Sequence, residues 1–219
     1  MDELDGPRFG PASRGTPRHL VVLCHGLGAD GHDLIDLAPT WAKALPDAAF
    51  VAPDAPYPCD MAPFGRQWFS LANRTPAPVE AGIRRAAPML NRFIDAELAR
   101  LSLPASAYAL MGFSQGAMMV LFTGLRRTVA PRAILAFSGA LVAPQALAAE
   151  LGNHAPVLLV HGEADEVVPI SRSRDAAVAL RAARIEVEET YAERLGHGID
   201  DTGLTAGALF LQRAFAAEP

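Results

Sequence analysis

The sequence predicts an α/β fold: a largely parallel, doubly wound sheet covered by helices on both faces, with no inserted lid domain. Three observations carry this expectation. Short apolar runs bounded by turn residues alternate with longer segments whose apolar residues recur at helical spacing, so strand and helix follow one another along the chain. The short runs are nearly continuous in apolar residues, as expected of strands buried on both faces. One of them, from Ala107, ends in Gly112-Phe113-Ser114-Gln115-Gly116 and passes directly into a helix-forming stretch, so strand, sharp turn and helix succeed each other without a spacer.

The bounds set by composition agree with one domain large enough for a sizeable core. A chain of 219 residues suits a single α/β domain, taken here as residues 19–219 after an N-terminal segment, 1–18. Hydrophobic residues make up 51% of it, yet no apolar run is long enough to cross a bilayer, and Met1 to Arg18 lacks the apolar core of a signal peptide. A soluble, cytoplasmic protein without stable membrane insertion is the expectation. With 19 basic and 24 acidic residues, a net charge of -5 and no basic cluster, the chain is not expected to bind nucleic acid. Cys24 falls in an expected strand and Cys59 in a loop, a spacing that fits neither a metal site nor a redox motif, so both are read as free thiols.

The elements follow in order. Residues 1–18, rich in Gly, Pro and Arg, are expected either to hold a short edge strand around Arg8 to Gly10 or to be flexible. His19 to Cys24 reads as a buried strand that feeds the flexible loop His25-Gly26-Leu27-Gly28-Ala29-Asp30-Gly31. Leu34, Leu37, Ala38, Trp41 and Leu45 recur at helical spacing over Asp33 to Leu45, and Ala48 to Ala52 is the next strand. From Pro53 to Pro78 periodicity is lost and prolines recur, so a long loop is expected. It carries Tyr57, Met61, Phe64, Trp68 and Phe69, which suggests that it folds over the site as a wall. Val79 to Leu101 is helical with an expected kink or split at Pro88. After the Ser114 turn and its helix come a strand at Arg132 to Phe137, a helix at Pro144 to Leu151, and a strand at Pro156 to Val160. Ser138 to Ala155 has room for one short helix only, hence no lid. A helix from about Arg172 to Ala183 with Ser171 as its cap, a strand at Ile185 to Tyr191 and a helix from about Thr202 to Ala216 complete the chain.

Glycines two residues to either side of Ser114 leave room for a sharp turn that lifts the serine out of the sheet as an exposed nucleophile. In a doubly wound sheet its partners belong in loops just beyond later strands. Two such loops carry suitable groups: His161-Gly162-Glu163-Ala164-Asp165-Glu166-Val167-Val168-Pro169 and Gly196-His197-Gly198. Nucleophile, acid, histidine is the chain order of the α/β-hydrolases. In that scheme Ser114 attacks an acyl carbonyl, His197 moves its proton and Asp165 orients the imidazole, with Glu163 and Glu166 as competing acids. The amides of Gln115 and Leu27 are placed to receive the negative charge of the tetrahedral intermediate. His25 and His161, each in a His-Gly pair at a strand end, are read as bonding loop backbone. His161, Glu163, Asp165 and His197 match no common zinc spacing, so no metal or cofactor is expected. Trp68 and Phe69, with Phe64 and Val168, are expected to line an acyl pocket.

The blocks His25-Gly-Leu-Gly-Ala-Asp-Gly31, Pro53-Asp-Ala-Pro56, Trp68-Phe69, Gly112-Phe-Ser-Gln-Gly116, Gly162 to Pro169 and Gly196-His-Gly-Ile199 together resemble the phospholipase/carboxylesterase family of α/β-hydrolases. The resemblance runs from His19 to the last helix and implies Ser114, Asp165 and His197 as triad and Leu27 and Gln115 as oxyanion donors. It implies a serine carboxylesterase acting on short- to medium-chain acyl esters in an open cleft, with lysophospholipids or acyl-protein thioesters as the alternative substrates. Homodimers are common in the family, which makes one possible here. Where family members often carry a third glycine after Ser-Gln-Gly, this chain has Ala117, a change that leaves the chemistry untouched. A hydrolase-fold binding protein without turnover is the reading from another class, and the complete triad speaks against it.

Overall fold

A computed structural model describes residues 3–217. Arg8–Phe9 (β1), His19–Cys24 (β2) and Ala48–Val51 (β3) are followed by a small separate hairpin of Tyr57–Pro58 (β4) and Arg66–Gln67 (β5). Then come Tyr108–Phe113 (β6), Ile134–Phe137 (β7), Val157–Gly162 (β8) and Val187–Ala192 (β9). The main sheet has the order β1-β3-β2-β6-β7-β8-β9, with only β1 antiparallel to its neighbour. The chain runs outward from β2 to β3 and then returns to place β6 on the other side of β2. The strand order therefore reverses between β2 and β6, where ligand sites of such sheets form. Cys24 pairs with Gly112, so the loops leaving β2 and β6 emerge side by side.

Helices cover both faces because strand residues alternate between them. Leu20, Val22 and Cys24 of β2 face Pro76–Arg100 (α3), Gln115–Gly124 (α4), Pro144–Glu150 (α5) and Ser171–Ala182 (α6). Val21 and Leu23 face the opposite layer, where Leu34, Trp41, Phe210 and Leu211 are buried on Gly31–Ile35 (α1), Ala38–Ala42 (α2) and Asp201–Ala216 (α7). Each such side chain contributes about 1.5–3 kcal/mol by leaving water. The chain between β7 and β8 holds only α5, and no lid is inserted there.

Several local expectations need correction. The helical spacing over Asp33 to Leu45 resolves into two short helices, α1 and α2, because Pro39 opens a new helix. Within the proline-rich loop, β4 and β5 pair, and Pro76 and Pro78 enter the first turn of α3, where a proline loses nothing by lacking its N–H. Pro88 does not split α3, which runs unbroken from Pro76 to Arg100. Pro88 lies on the exposed face, as does Arg84, whose carbonyl loses its helical donor there, while Ile83, Leu90 and Ile94 stay buried in the core. Ser171 is the first residue of α6 and not its cap, a position taken by Ile170 without a side-chain bond. The edge strand β1 is tied inward by Arg8, which together with Arg100 grips the buried Glu97 carboxylate of α3.

Candidate active site

The turn after β6 is strained in the way its sequence requires. Ser114 has φ 54° and ψ -114°, a left-handed conformation costly for a residue with a β-carbon. The strain persists because its surroundings fix it: the Ser114 amide donates to Phe137 O at 2.8 Å, and α4 starts at the next residue. A Cβ on Gly112 would lie 2.2 Å from Gly116 O, and one on Gly116 would lie 1.8 Å from Cys24 O. Only glycine permits helix and strand to cross this closely.

Two distant loops come to this turn. His197 Nε2 lies 3.0 Å from Ser114 Oγ, and its Nδ1 lies 2.7 Å from Asp165 Oδ2. The Phe113 ring flanks the imidazole with a 4.9 Å centroid separation. Asp165 Oδ1 accepts from the amides of Val167 at 2.9 Å and Val168 at 2.8 Å, which fixes the carboxylate plane. Burial alone would raise the Asp165 pKa, but the bonds from His197 and from the Val168 and Val167 amides outweigh it and hold the carboxyl below its ordinary range. It is therefore ionised at neutral pH. Glu163 and Glu166, the rival acids, are exposed, and Glu163 faces Arg174 instead.

The loop after β2 runs against the elbow: a Cβ on Gly26 would lie 3.4 Å from Ser114 Cβ. Gln115, as the first residue of α4, has an amide with no intrahelical acceptor. Among the described residues the Leu27 amide also meets no protein acceptor, whereas its neighbour Gly28 donates to Arg66 O at 2.8 Å. His25 is held by its ring, Nδ1 donating to Gly26 O at 2.7 Å and Nε2 accepting from the Ala55 amide at 2.9 Å. Burial lowers its pKa and keeps it neutral, the state in which both bonds exist. It bonds loop backbone, as its position suggested.

Trp68 and Phe69 occupy a different place from the one expected of them. Their relative exposures are 0% and 1%, so neither presents a surface that an acyl chain could line. An indole can be buried only if its N–H finds a partner, and Trp68 Nε1 donates to His25 O at 3.0 Å. The Trp68 amide donates to Gln115 Oε1 at 2.8 Å, and Gln115 Nε2 donates to Phe69 O at 2.6 Å. The pair thus clamps the two segments that carry the free amides. Phe69 also borders a cavity of about 280 Å³ formed with Tyr57, Gln67, Ser70, Gly82 and Arg85, a lining that includes none of Ser114, His197 and Asp165. Sequence reasoning missed the Gln115 side chain in this clamp, although a glutamine directly after the elbow serine, on a mostly apolar helix, was the available signal. Phe64 is 74% exposed at the tip between β4 and β5, and Val168 is half-buried beside Asp165. The connection between β4 and β5 lies on the Leu27 loop where it enters β5, since a Cβ on Gly65 would lie 2.0 Å from Gly28 O.

A hydroxyl, an imidazole and a carboxylate linked in this order, next to two free amides, can activate the oxygen and receive an oxyanion. Among the described residues no group of three or more His, Cys, Asp or Glu side chains is arranged to hold a metal ion, and no helix is long and apolar enough to cross a membrane. Known proteins share this arrangement's scaffold. The chain is 31% identical over 204 residues to a probable inactive carboxylesterase of Oryza sativa subsp. japonica, covering 87% of this chain and 82% of that protein. It is 29% identical over 188 residues to the esterase YpfH of Escherichia coli (strain K12), covering 85% and 79%. The crystal structure of esterase PE8 superposes with a TM-score of 0.92 at 42% identity, over 97% of this chain and all of that one. A family model described as phospholipase/carboxylesterase matches residues 11–214, the span that holds strands β2 to β9, the elbow and both partner loops. By that match the chain belongs to the phospholipase/carboxylesterase family, a group of α/β-hydrolases.

Proposed function

We propose that the protein is a serine carboxylesterase that hydrolyses short- to medium-chain acyl esters through an acyl-enzyme on Ser114. The observation that carries this reading is the continuous relay from Ser114 Oγ to His197 and on to a buried, ionised Asp165. His197 Nε2 takes the Ser114 proton as Oγ attacks the ester carbonyl, and the oxyanion forms against the Leu27 and Gln115 amides. Collapse breaks the bond to the alkoxy oxygen, which leaves as alcohol with the proton from His197. Water, deprotonated by the same imidazole, then releases the carboxylate and restores Ser114. Asp165 keeps Nδ1 protonated throughout, so Nε2 is free to act as base. Donors fixed before the reaction supply a large part of the acceleration, about 100- to 1000-fold for each amide of this kind.

The absence of an inserted lid supports an open cleft and shorter acyl groups. The alternative of long acyl chains, on lysophospholipids or acyl-protein thioesters, draws support from the exposed Met61 and Phe64 on the hairpin beside the Leu27 loop. A panel of p-nitrophenyl esters and acyl thioesters of graded length separates the two. The proposal expects kcat/KM to peak at acetate to octanoate esters and to vanish with Ser114→Ala; a peak at palmitoyl thioesters would favour the alternative. The name of the rice relative raises a third reading, a hydrolase fold without turnover, against which the intact relay stands.

A further inference from the structure

Asp165 has a neighbour that the relay does not name. His161, the penultimate residue of β8, places Nε2 2.8 Å from Val168 O and 3.1 Å from Asp165 Oδ2, with both side chains fully buried. Its other nitrogen, Nδ1, lies 2.6 Å from Ser173 Oγ on α6. Two oxygens that can only accept face Nε2, so that nitrogen carries the proton and Nδ1 accepts from the Ser173 hydroxyl.

We propose that His161 is a positioning residue for the acid of the relay, acting through the loop that it closes and through the Asp165 carboxylate that it faces. By holding Val168 O it fixes the backbone whose Val167 and Val168 amides bind Asp165 Oδ1. Its N–H edge meanwhile faces Oδ2, the atom bonded to His197 Nδ1. Each carboxylate oxygen is then held from its own side, and rotation about the Cβ–Cγ bond is blocked. Ser173 selects the tautomer that makes this possible, so α6 is linked through two side chains to the reacting imidazole. The expectation that His161 merely bonds loop backbone covers only its contact with Val168. This inference rests on the reading of Ser114, His197 and Asp165 as the working relay.

The test compares His161→Leu, which fills the space without a donor, with His161→Gln, whose amide restores an N–H near Nε2, and with Ser173→Ala. Ester turnover, the melting temperature and the low-field proton resonance of His197 Nδ1–H, identified by its loss in His197→Ala, are measured for each. His161→Leu is expected to lose about 10- to 100-fold in kcat with KM within about two-fold, and to shift or broaden that resonance. His161→Gln recovers most of the kcat, and Ser173→Ala loses about two- to five-fold. A His161→Leu protein whose folded fraction keeps the parent kcat and resonance overturns the proposal, as does a folded His161→Gln protein no better than His161→Leu. If His161→Leu does not fold, the comparison of His161→Gln and Ser173→Ala with the parent decides: parent-like resonance and kcat in Ser173→Ala with loss of both in His161→Gln overturns it. Ser114→Ala separates the two levels, because turnover that survives it discards the relay itself, whereas turnover that it abolishes but His161→Leu spares discards only the role of His161.

Discussion

Replacing Trp68 with Phe removes one N–H and part of one ring from the clamp behind the Leu27 loop. Trp68 is fully buried and its Nε1 is bonded to His25 O, so the substitution leaves a buried carbonyl without its partner. An unpaired buried acceptor costs about 1–3 kcal/mol, and the smaller ring adds about 1 kcal/mol of lost packing. The variant should therefore be about 2–4 kcal/mol less stable by urea unfolding. Because His25 and Gly26 lead directly into Leu27, relaxation of the freed carbonyl should also lower kcat/KM by about 3- to 10-fold. The loss should be parallel for acetate, butyrate and octanoate esters, since no part of the indole is accessible to the acyl chain. Full stability combined with a change in chain-length preference would refute the burial argument and restore Trp68 as a pocket wall.

Other outcomes follow from the same geometry. Ser114→Ala and His197→Ala should each lose about 10⁴-fold or more in kcat while remaining folded, as judged by circular dichroism and ester assay. Asp165→Asn should be similarly damaging and Glu163→Gln and Glu166→Gln mild, because only Asp165 reaches His197. Gly116→Ala should abolish soluble folded protein, since its methyl group would meet Cys24 O at 1.8 Å; normal folding would mean that strand and helix can separate. Burial would raise the Glu97 pKa, but the bonds from Arg8 and Arg100 outweigh it, so the folded value is below the unfolded one. The stabilisation is thus complete above the unfolded value of about 4.3 and is lost as pH falls through the lower folded value. The urea midpoint should fall across that acid range, and Glu97→Gln should weaken the dependence while lowering the midpoint at neutral pH. EDTA should leave turnover unchanged; activity lost on chelation and regained with zinc would contradict the metal-free mechanism.

The parts of this molecule that were legible in the sequence are those governed by local pattern. His19–Cys24 and Ala107 onward read as strands because their apolar runs are buried on both faces, and Ser114 read as an elbow because glycine at 112 and 116 serves one specific steric need. His197 was legible through chain order, since a parallel sheet delivers successive loops to the same edge, whereas chain order left Asp165 level with Glu163 and Glu166, and its place just after a strand and the family blocks singled it out. Trp68 was misplaced because composition shows that an aromatic residue avoids water but does not show which side of a loop faces inward. Its tie to His25 O spans distant parts of the chain and depends on how the loop folds back on α4. The uninterrupted α3 was missed for a related reason: whether Pro88 breaks a helix depends on whether its orphaned carbonyl can reach solvent. His161 carried no signal beyond its place next to Gly162, because its contact with Ser173 arises only when α6 packs on β8 and its contact with Asp165 only when the intervening loop folds back.

The central claim, that Ser114 is an activated nucleophile, is tested most directly by exposing the protein to a p-nitrophenyl alkylphosphonate and measuring intact mass, p-nitrophenol release and the modified peptide. The account predicts one equivalent of p-nitrophenol, one adduct located at Ser114, ester hydrolysis lost in step with labelling, and no adduct in Ser114→Ala or His197→Ala. Ester hydrolysis that persists in fully labelled protein, or an unlabelled Ser114 in protein that turns over esters, would contradict it.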